Sequence, residues 1–298
     1  MAGVGALSSL ALGLGGWQYV TEIEPSWVDV AQVVLPLKRL TPAFDGLRLV
    51  QISDIHLGGG LNRSRLDQIV RQVTALEPDV IALTGDYLHG YEWKPEHARH
   101  LADLAESLRP LAQAALVVAV MGNHDHWVSI SGVRDALEKA GVVELNNTVH
   151  TLQRGAEQLH LAGVDSVYVR RHRLPRVLEQ LPADGAALLL AHEPDFADES
   201  AASGRFDLQI SGHSHGGQVS IPLIGPPVLP RLGKKYPAGL YRVGEMYQYT
   251  NRGVGTGGIN VRFNCRPEIT IFTLKTADLS GNAFTSARSP SPAPSSSR

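Results

Sequence analysis

The chain has 298 residues, enough for one large domain or two small ones with a full core. With 43% hydrophobic and 19% charged residues it has an ordinary globular composition, and a net charge of −2 gives no electrostatic case for nucleic acid as the main partner. The single cysteine, Cys265, excludes an intrachain disulfide and a thiolate-rich metal site.

From Met1 to Thr21 no side chain is charged, and Gly, Ala and Leu dominate. That stretch approaches the roughly 20 residues a membrane-spanning helix needs. It also carries many glycines, no basic flank and no clear cleavage site, so a membrane anchor, an uncleaved signal and a flexible leader all stay open. The apolar run from Leu47 to Ile52 reads as a strand. The spacing Leu66, Ile69, Val70, Val73, Leu76 then predicts a helix. Val80 to Leu83 is a second strand, Pro95 to Ala114 a helix, and Leu116 to Val120 a third strand. A helix from Val133 to Ala140 ends at Gly141, and Ala187 to Leu190 and Leu208 to Ile210 are further strands. After Gly212 the chain is rich in Gly and Pro and closes on strands at Gly239 to Val243 and Glu268 to Leu274. Its last residues, Ser286 to Arg298, have the Ser/Pro/Ala composition of a disordered tail. The expected organisation is a leader over 1–43, a catalytic domain over 44–277 and a disordered tail over 278–298. Strands alternating with helices imply a sheet covered on both faces, with a second sheet built from the β-rich end.

The polar residues of interest all follow strands. Asp54 and His56 follow the first, Asp86 the second, Asn123, His124 and Asp125 the third, His192 the fourth, and His213 and His215 the fifth. Ligands of α/β sheets bind outside the carboxyl ends of the strands, so five strands deliver His, Asp or Asn to one rim. Taken singly, Asp-x-His or Gly-Asp is more often a turn, and a lone histidine more often a hydrogen-bonded core residue. Gly212-His213-Ser214-His215-Gly216 is the stronger signal, since two imidazoles between glycines suit coordination better than packing. Taken together, carboxylates converging on a buried rim would repel one another unless cations sat among them.

Imidazole, carboxylate and amide donors suit manganese, iron, zinc or nickel, whereas calcium takes mainly oxygen. The donors outnumber what one ion can use, which points to two divalent ions about 3.5–4 Å apart. Four positive charges against Asp54 and Asp86 leave a site that attracts phosphate. Metal binding lowers the pKa of water from 15.7 to about 7, so no serine or cysteine nucleophile is required.

Asp54-x-His56, Gly85-Asp86, Gly122-Asn123-His124-Asp125, His192 and Gly212-His213-x-His215 stand in the order of the calcineurin-like metallophosphoesterase superfamily, which this chain resembles. It is similar in particular to the membrane-associated YkuE-like branch, through Phe44 to Leu47, Leu190 to Asp195, Ser211 to Val219 and Tyr249 to Gly253. The resemblance implies a four-layer α/β/β/α sandwich. It implies one metal held by Asp54, His56, Asp86 and His215, and a second held by Asp86, Asn123, His192 and His213, with manganese the first choice. It gives His124 the role of protonating the leaving oxygen or steadying the phosphate, with Asp125 orienting its imidazole. A tyrosine ligand three residues after Asp86, as in purple acid phosphatases, is missing: that position is His89.

Two stretches are candidates for substrate binding. Arg170, Arg171 and Arg173 form either a clamp for a second phosphate or anionic head group, or a solvated basic loop. Asn251 and Arg252, before the run Gly253 to Gly258, either reach the substrate or shape a loop. The reading that results is hydrolysis of a phosphodiester or pyrophosphate on a lipid-linked substrate at a membrane, with UDP-2,3-diacylglucosamine the specific expectation from the resemblance. The alternatives are a nucleotide phosphodiesterase or broad phosphomonoesterase, and a non-catalytic metal-binding scaffold; the expected location is membrane-associated, otherwise cytoplasmic. Oligomeric state stays open.

Overall fold

A computed structural model describes residues 14–277. Two six-stranded sheets form the centre. The first takes β1 (Asp29–Leu37), β2 (Arg48–Ile52), β3 (Val80–Leu83), β4 (Leu116–Ala119), β5 (Val143–Glu144) and β12 (Glu268–Thr276), in the order β1-β12-β2-β3-β4-β5. The second takes β6 (Thr148–Arg154), β7 (Glu157–Gly163), β8 (Ala186–Leu190), β9 (Leu208–Ser211), β10 (Gly239–Val243) and β11 (Met246–Thr250), in the order β10-β11-β9-β8-β7-β6. β2, β3, β4 and β5 run parallel, as do β7, β8, β9 and β11.

The central strands are continuous apolar runs because both faces are covered. Helices α1 (Arg63–Ala75), α2 (Glu96–Ala114) and α4 (Ile130–Ala140) pack on the outer face of the first sheet, burying Leu66, Ile69, Val70 and Val73 of α1 in the predicted register. α5 (Leu174–Gln180) and α6 (Ala197–Ala202) cover the outer face of the second sheet. Between the sheets, Leu49, Val118, Leu161, Leu188, Leu208 and Phe272 form a separate core. The architecture is the expected four-layer α/β/β/α sandwich. Local chemistry sets the helix ends: the Asn62 side chain accepts from Arg65 N at 3.1 Å, Ser129 Oγ accepts from Gly132 N, and Gly141 stops α4 at φ 81°.

The folded unit starts earlier than residue 44. β1 pairs in parallel with β12 from Asp29↔Glu268 to Leu37↔Thr276, and Leu35 and Leu37 enter the inter-sheet core. It reads poorly in sequence because most of the strand lies on a half-exposed edge and includes Pro36, which only an edge tolerates. Residues 14–26 are helical and packed on the domain: Arg262 N donates to Val20 O at 2.8 Å, and buried Glu24 accepts from Cys265 N at 2.6 Å. Residues 1–13 of the apolar leader and the 278–298 tail lie outside the described residues. Among the described residues no helix is long and apolar enough to cross a membrane.

Candidate metal centre

Asp54, His56, Asp86, His213 and His215 all have left-handed backbone, with φ of 52, 45, 58, 68 and 53°. A non-glycine residue held there costs on the order of 1–3 kcal/mol, and such positions concentrate at functional sites. The tips latch to one another to hold it: Asp54 N donates to Gly85 O and His56 N to Asp86 O, both at 3.0 Å, and Gly212 N donates to His192 O. Two of the motif glycines are steric necessities. A Cβ on Gly122 would sit 2.2 Å from Asp86 Oδ1, and one on Gly212 1.9 Å from Ser53 Oγ and 2.2 Å from Asp54 Oδ2.

The side chains gather in overlapping sets: Asp54, His56 and His215; His56, Asp86 and His124; Asp86, His192 and His213, each with donor atoms within 4.8 Å. His215 Nε2 lies 3.2 Å from Asp54 Oδ1, His56 Nε2 3.6 Å and His192 Nε2 3.1 Å from Asp86 Oδ2. Asp86 thus belongs to both ends of the cluster. His192 Nδ1 donates to Thr84 O at 2.6 Å, which turns the lone pair of Nε2 toward the Asp86 carboxylate. His192 Nε2 and Asn123 Oδ1 are buried without a hydrogen-bond partner. His56 Nε2 and His215 Nε2 face each other at 3.1 Å, close enough for one ring to donate to the other or for both lone pairs to share a cation. Unpartnered acceptors at His192 Nε2 and Asn123 Oδ1, buried beside carboxylates, fit a cation between them. His213 donates from Nε2 to Arg231 O at 2.8 Å, leaving Nδ1 as its ligand atom.

The electrostatics agree with that fit. Burial would raise the Asp54 and Asp86 carboxyls, but the His215 and His192 imidazoles hold them well below the usual carboxylate range. Burial would depress His192, yet Asp86 and Asp54 keep its imidazolium well above the ordinary histidine value. Burial and the nearby His124 push His56 well down. The carboxylates therefore require positive charge at this spot, which protonated His192 or bound cations can provide.

His124 opens the short helix α3 (Asn123–Val128). Its Nδ1 lies 2.6 Å from Gly90 O, and its backbone N donates to Asp86 Oδ1 at 2.9 Å. The expectation that Asp125 orients this imidazole is not met. Asp125 is fully buried and accepts from the backbone N of Asp86, Tyr87 and Gly122 at 2.8–2.9 Å, pinning the Asp86 turn to the Gly122 turn. The Gly90 carbonyl takes the orienting role. Burial and the Asp86 charge push the Asp125 carboxyl up to about 7, against the three amides that favour its ionised form.

The substrate-binding expectations need correction too. Asn251 is fully buried and structural: Nδ2 donates to Thr270 Oγ1 at 2.8 Å, and Oδ1 accepts from Gly253 N at 2.7 Å. Arg252 is occupied by Glu268 at 2.5 Å and Asp29 at 2.9 Å. It ties β11, β12 and β1 together where their ends meet. Arg170, Arg171 and Arg173 are exposed, and none lines the cleft at the metal-ligating residues; Arg173 Nη1 turns back to the carbonyls of Arg170 and His172.

That cleft, of about 590 Å³, has Asp86, His124 and His215 on its floor. Its walls include an aromatic group that sequence spacing could not disclose, Tyr91, Trp127 and Tyr168, with Trp127 4.8 Å from the His124 ring centroid. Buried Glu193 sets the Tyr168 turn by accepting from Ser166 Oγ, Val167 N and Tyr168 N. The signal for Glu193 was its place beside His192.

Comparison with known proteins agrees with this geometry. The model of the calcineurin-like phosphoesterase family matches residues 47–217. The metallophosphoesterase YkuE of Bacillus subtilis (strain 168) is 32% identical over 277 residues, covering 92% of this chain and 95% of that protein. Phosphodiesterase YaeI of Escherichia coli (strain K12) is 30% identical over 262 residues, covering 87% and 93%. A transmembrane protein with metallophosphoesterase domain from Danio rerio is 34% identical, covering 83% of this chain but 57% of that protein. From the matched strands and the buried donors at their tips, the chain belongs to the calcineurin-like phosphoesterase family and is a metallophosphoesterase, a hydrolase.

Proposed function

We propose that this enzyme cleaves a phosphodiester or pyrophosphate bond of a lipid-linked substrate at a membrane surface, using two divalent ions, manganese first among them. His192 Nε2, 3.1 Å from the Asp86 carboxylate, and the buried, unpartnered Asn123 Oδ1 are the observation that carries the metal-dependent part of the reading. Asp54, His56, Asp86 and His215 would hold one ion, and Asp86, Asn123, His192 and His213 the other. When bound, the ions would neutralise charge on the phosphoryl group and make water acidic enough to attack at neutral pH. The name of phosphodiesterase YaeI supports the diester class, and the partly apolar cleft supports a substrate with an apolar portion.

The chain's own contribution centres on His124. With Nδ1–H donated to Gly90 O, an imidazolium carries its second proton on Nε2, where it can pass to the leaving oxygen. His124→Ala should then lower kcat by about 10²–10⁴-fold on a phosphodiester whose leaving group is a simple alkoxide, such as a glycerophosphodiester. On bis(p-nitrophenyl) phosphate, whose leaving group needs no proton, the loss should be far smaller. Equal losses on both substrates would remove His124 from the proton-donor role. Rates on cyclic nucleotides and simple monoesters, run with the same manganese loading, separate the lipid-linked reading from a nucleotide phosphodiesterase or a broad monoesterase.

Metal removal gives an independent check. Ions that bind only the folded chain stabilise it by mass action, about 3–4 kcal/mol at 100–1,000 times Kd, so chelation should lower Tm by about 5–15 °C. Added manganese should restore it. A melting curve indifferent to chelator, with no ion found by elemental analysis of the purified protein, would argue against the metal centre itself.

A further inference from the structure

We infer that the lip of the cleft is a docking surface for an anionic phospholipid bilayer, built from three segments: residues 219–228, residues 259–263 and the helical residues 14–26. The inference rests on the lipid-linked reading for its biological sense, while its test does not.

Leu223, Val228, Ile224 and Ile259 are 104, 74, 72 and 69% exposed. Exposed apolar side chains are ordinary when scattered and informative when contiguous. Here the backbone joins them. Ser220 N donates to Phe263 O at 2.8 Å, Phe263 N to Gln218 O at 2.9 Å, and Gln218 Nε2 to Ile259 O at 3.2 Å. Arg262 N then reaches Val20 O, which adds the helical segment bearing exposed Leu14, Trp17 and Ile23. Ile221 N and Gly225 N close the turn that presents Leu223, itself held at φ 68°. The hydrophobic tip is therefore a set of solvent-facing apolar side chains on a fixed turn. Its most exposed side chains, Leu223 and Ile224, stand outside the cleft, free to enter an apolar phase.

Charge selects the phase. Between Asp207 and Glu268 the sequence has one acidic residue, Glu245, and the helical segment presents one exposed carboxylate, Glu22. Glu245 precedes β11, whose opposite end reaches the rim, and it pairs with Lys38. The same span carries Arg231, Lys234 and Lys235 beside the lip, and among the described residues Arg231 and Lys234 have no carboxylate partner. Trp27 at the end of the helical segment lies under the Arg266 guanidinium at 3.6 Å. Apolar tip, flanking tryptophans and cations without counter-charges together match the interface of an anionic leaflet. Val219, Val228 and Ile259 also line the cleft, so a lipid could pass from the bilayer plane to the His124 floor without its acyl portion crossing water.

Sedimentation of the full chain with vesicles tests this, using phosphatidylcholine alone and an equimolar mixture with phosphatidylglycerol. The wild type should pellet with the mixed vesicles. The double variant Leu223→Asp with Ile224→Asp, at exposed positions that do not line the cleft, should partition about tenfold or more weakly. Its hydrolysis of soluble bis(p-nitrophenyl) phosphate should stay within about twofold of wild type, which also confirms that it folds. Wild-type protein left in the supernatant at all lipid concentrations, or a double variant that pellets as well as wild type, would overturn the inference. If neither protein cleaves the soluble diester, the diesterase reading fails, and the pelleting result still decides the surface.

Discussion

Replacing Asp86 by alanine is expected to lower kcat/KM on bis(p-nitrophenyl) phosphate by about 10³-fold or more and to leave the purified protein short of metal. Asp86 is the one carboxylate that reaches both ends of the cluster, with Oδ2 3.1 Å from His192 Nε2 and 3.6 Å from His56 Nε2. Its other oxygen accepts from the backbone N of His124, so the substitution also frees the residue assigned to proton donation. Asp86→Asn separates the two contributions. The amide keeps an oxygen for His124 N and fills the same space beside Gly122, but it cannot balance a bridging pair of cations. It should hold the fold and the His124 turn while still losing metal and activity. Elemental analysis beside steady-state kinetics makes the comparison, and an alanine variant with two ions per chain and wild-type kinetics would refute the shared-ligand role.

The second large effect is one of stability. Arg262→Ala should destabilise the chain by about 3–5 kcal/mol, a fall in Tm of about 10 °C. Arg262 is fully buried, and its guanidinium donates to Cys265 O at 3.0 Å and to the carbonyls of Arg252, Gly253 and Gly255 at 2.8, 3.1 and 2.6 Å. Alanine would leave four buried carbonyls without that donor and a cavity where the side chain had packed. The loop it braces supports the site from below: Val254 N donates to Ser53 O and Gly255 N to Asp54 O, at 2.9 and 2.8 Å. Loss of stability should therefore be joined by weaker metal retention. Lysine should not rescue, since a single ammonium cannot span carbonyls on both sides of a planar fork. Urea unfolding within about 1 kcal/mol of wild type would show that water replaces the guanidinium without cost.

The parts of this molecule that sequence disclosed were those carried by repetition or by termini. β2, β3, β4, β8 and β9 are apolar runs because layers cover both faces, and the ligands stand just past their carboxyl ends, where spacing marks them. Asp125 stood within the same motif, yet no spacing rule distinguishes a carboxylate that steadies an imidazole from one that accepts three backbone amides. For a related reason the sequence leaves Asn251 and Arg252 open between a substrate contact and a loop-shaping role, and the fold assigns the second. A polar pair before a glycine run looks like a binding loop, whereas burial against Thr270, Glu268 and Asp29 is decided by strands far away in the chain. Tyr91 and Tyr168 come from separate loops and Trp127 from α3, and Arg262 is an isolated cation. None carries a local pattern, so only the assembled fold reveals them.

The position of β12 has a consequence for how the enzyme matures. This strand lies between β1 and β2, which come far earlier in sequence, so the first sheet cannot close until Thr276 has been made. Until then β2 lacks its neighbour, and the loop from Arg252 to Glu268 that steadies the Asp54 tip has no anchor. Chains that lack β12, whether nascent or clipped before Glu268, should thus be poor at capturing ions, and metal binding follows the arrival of that strand.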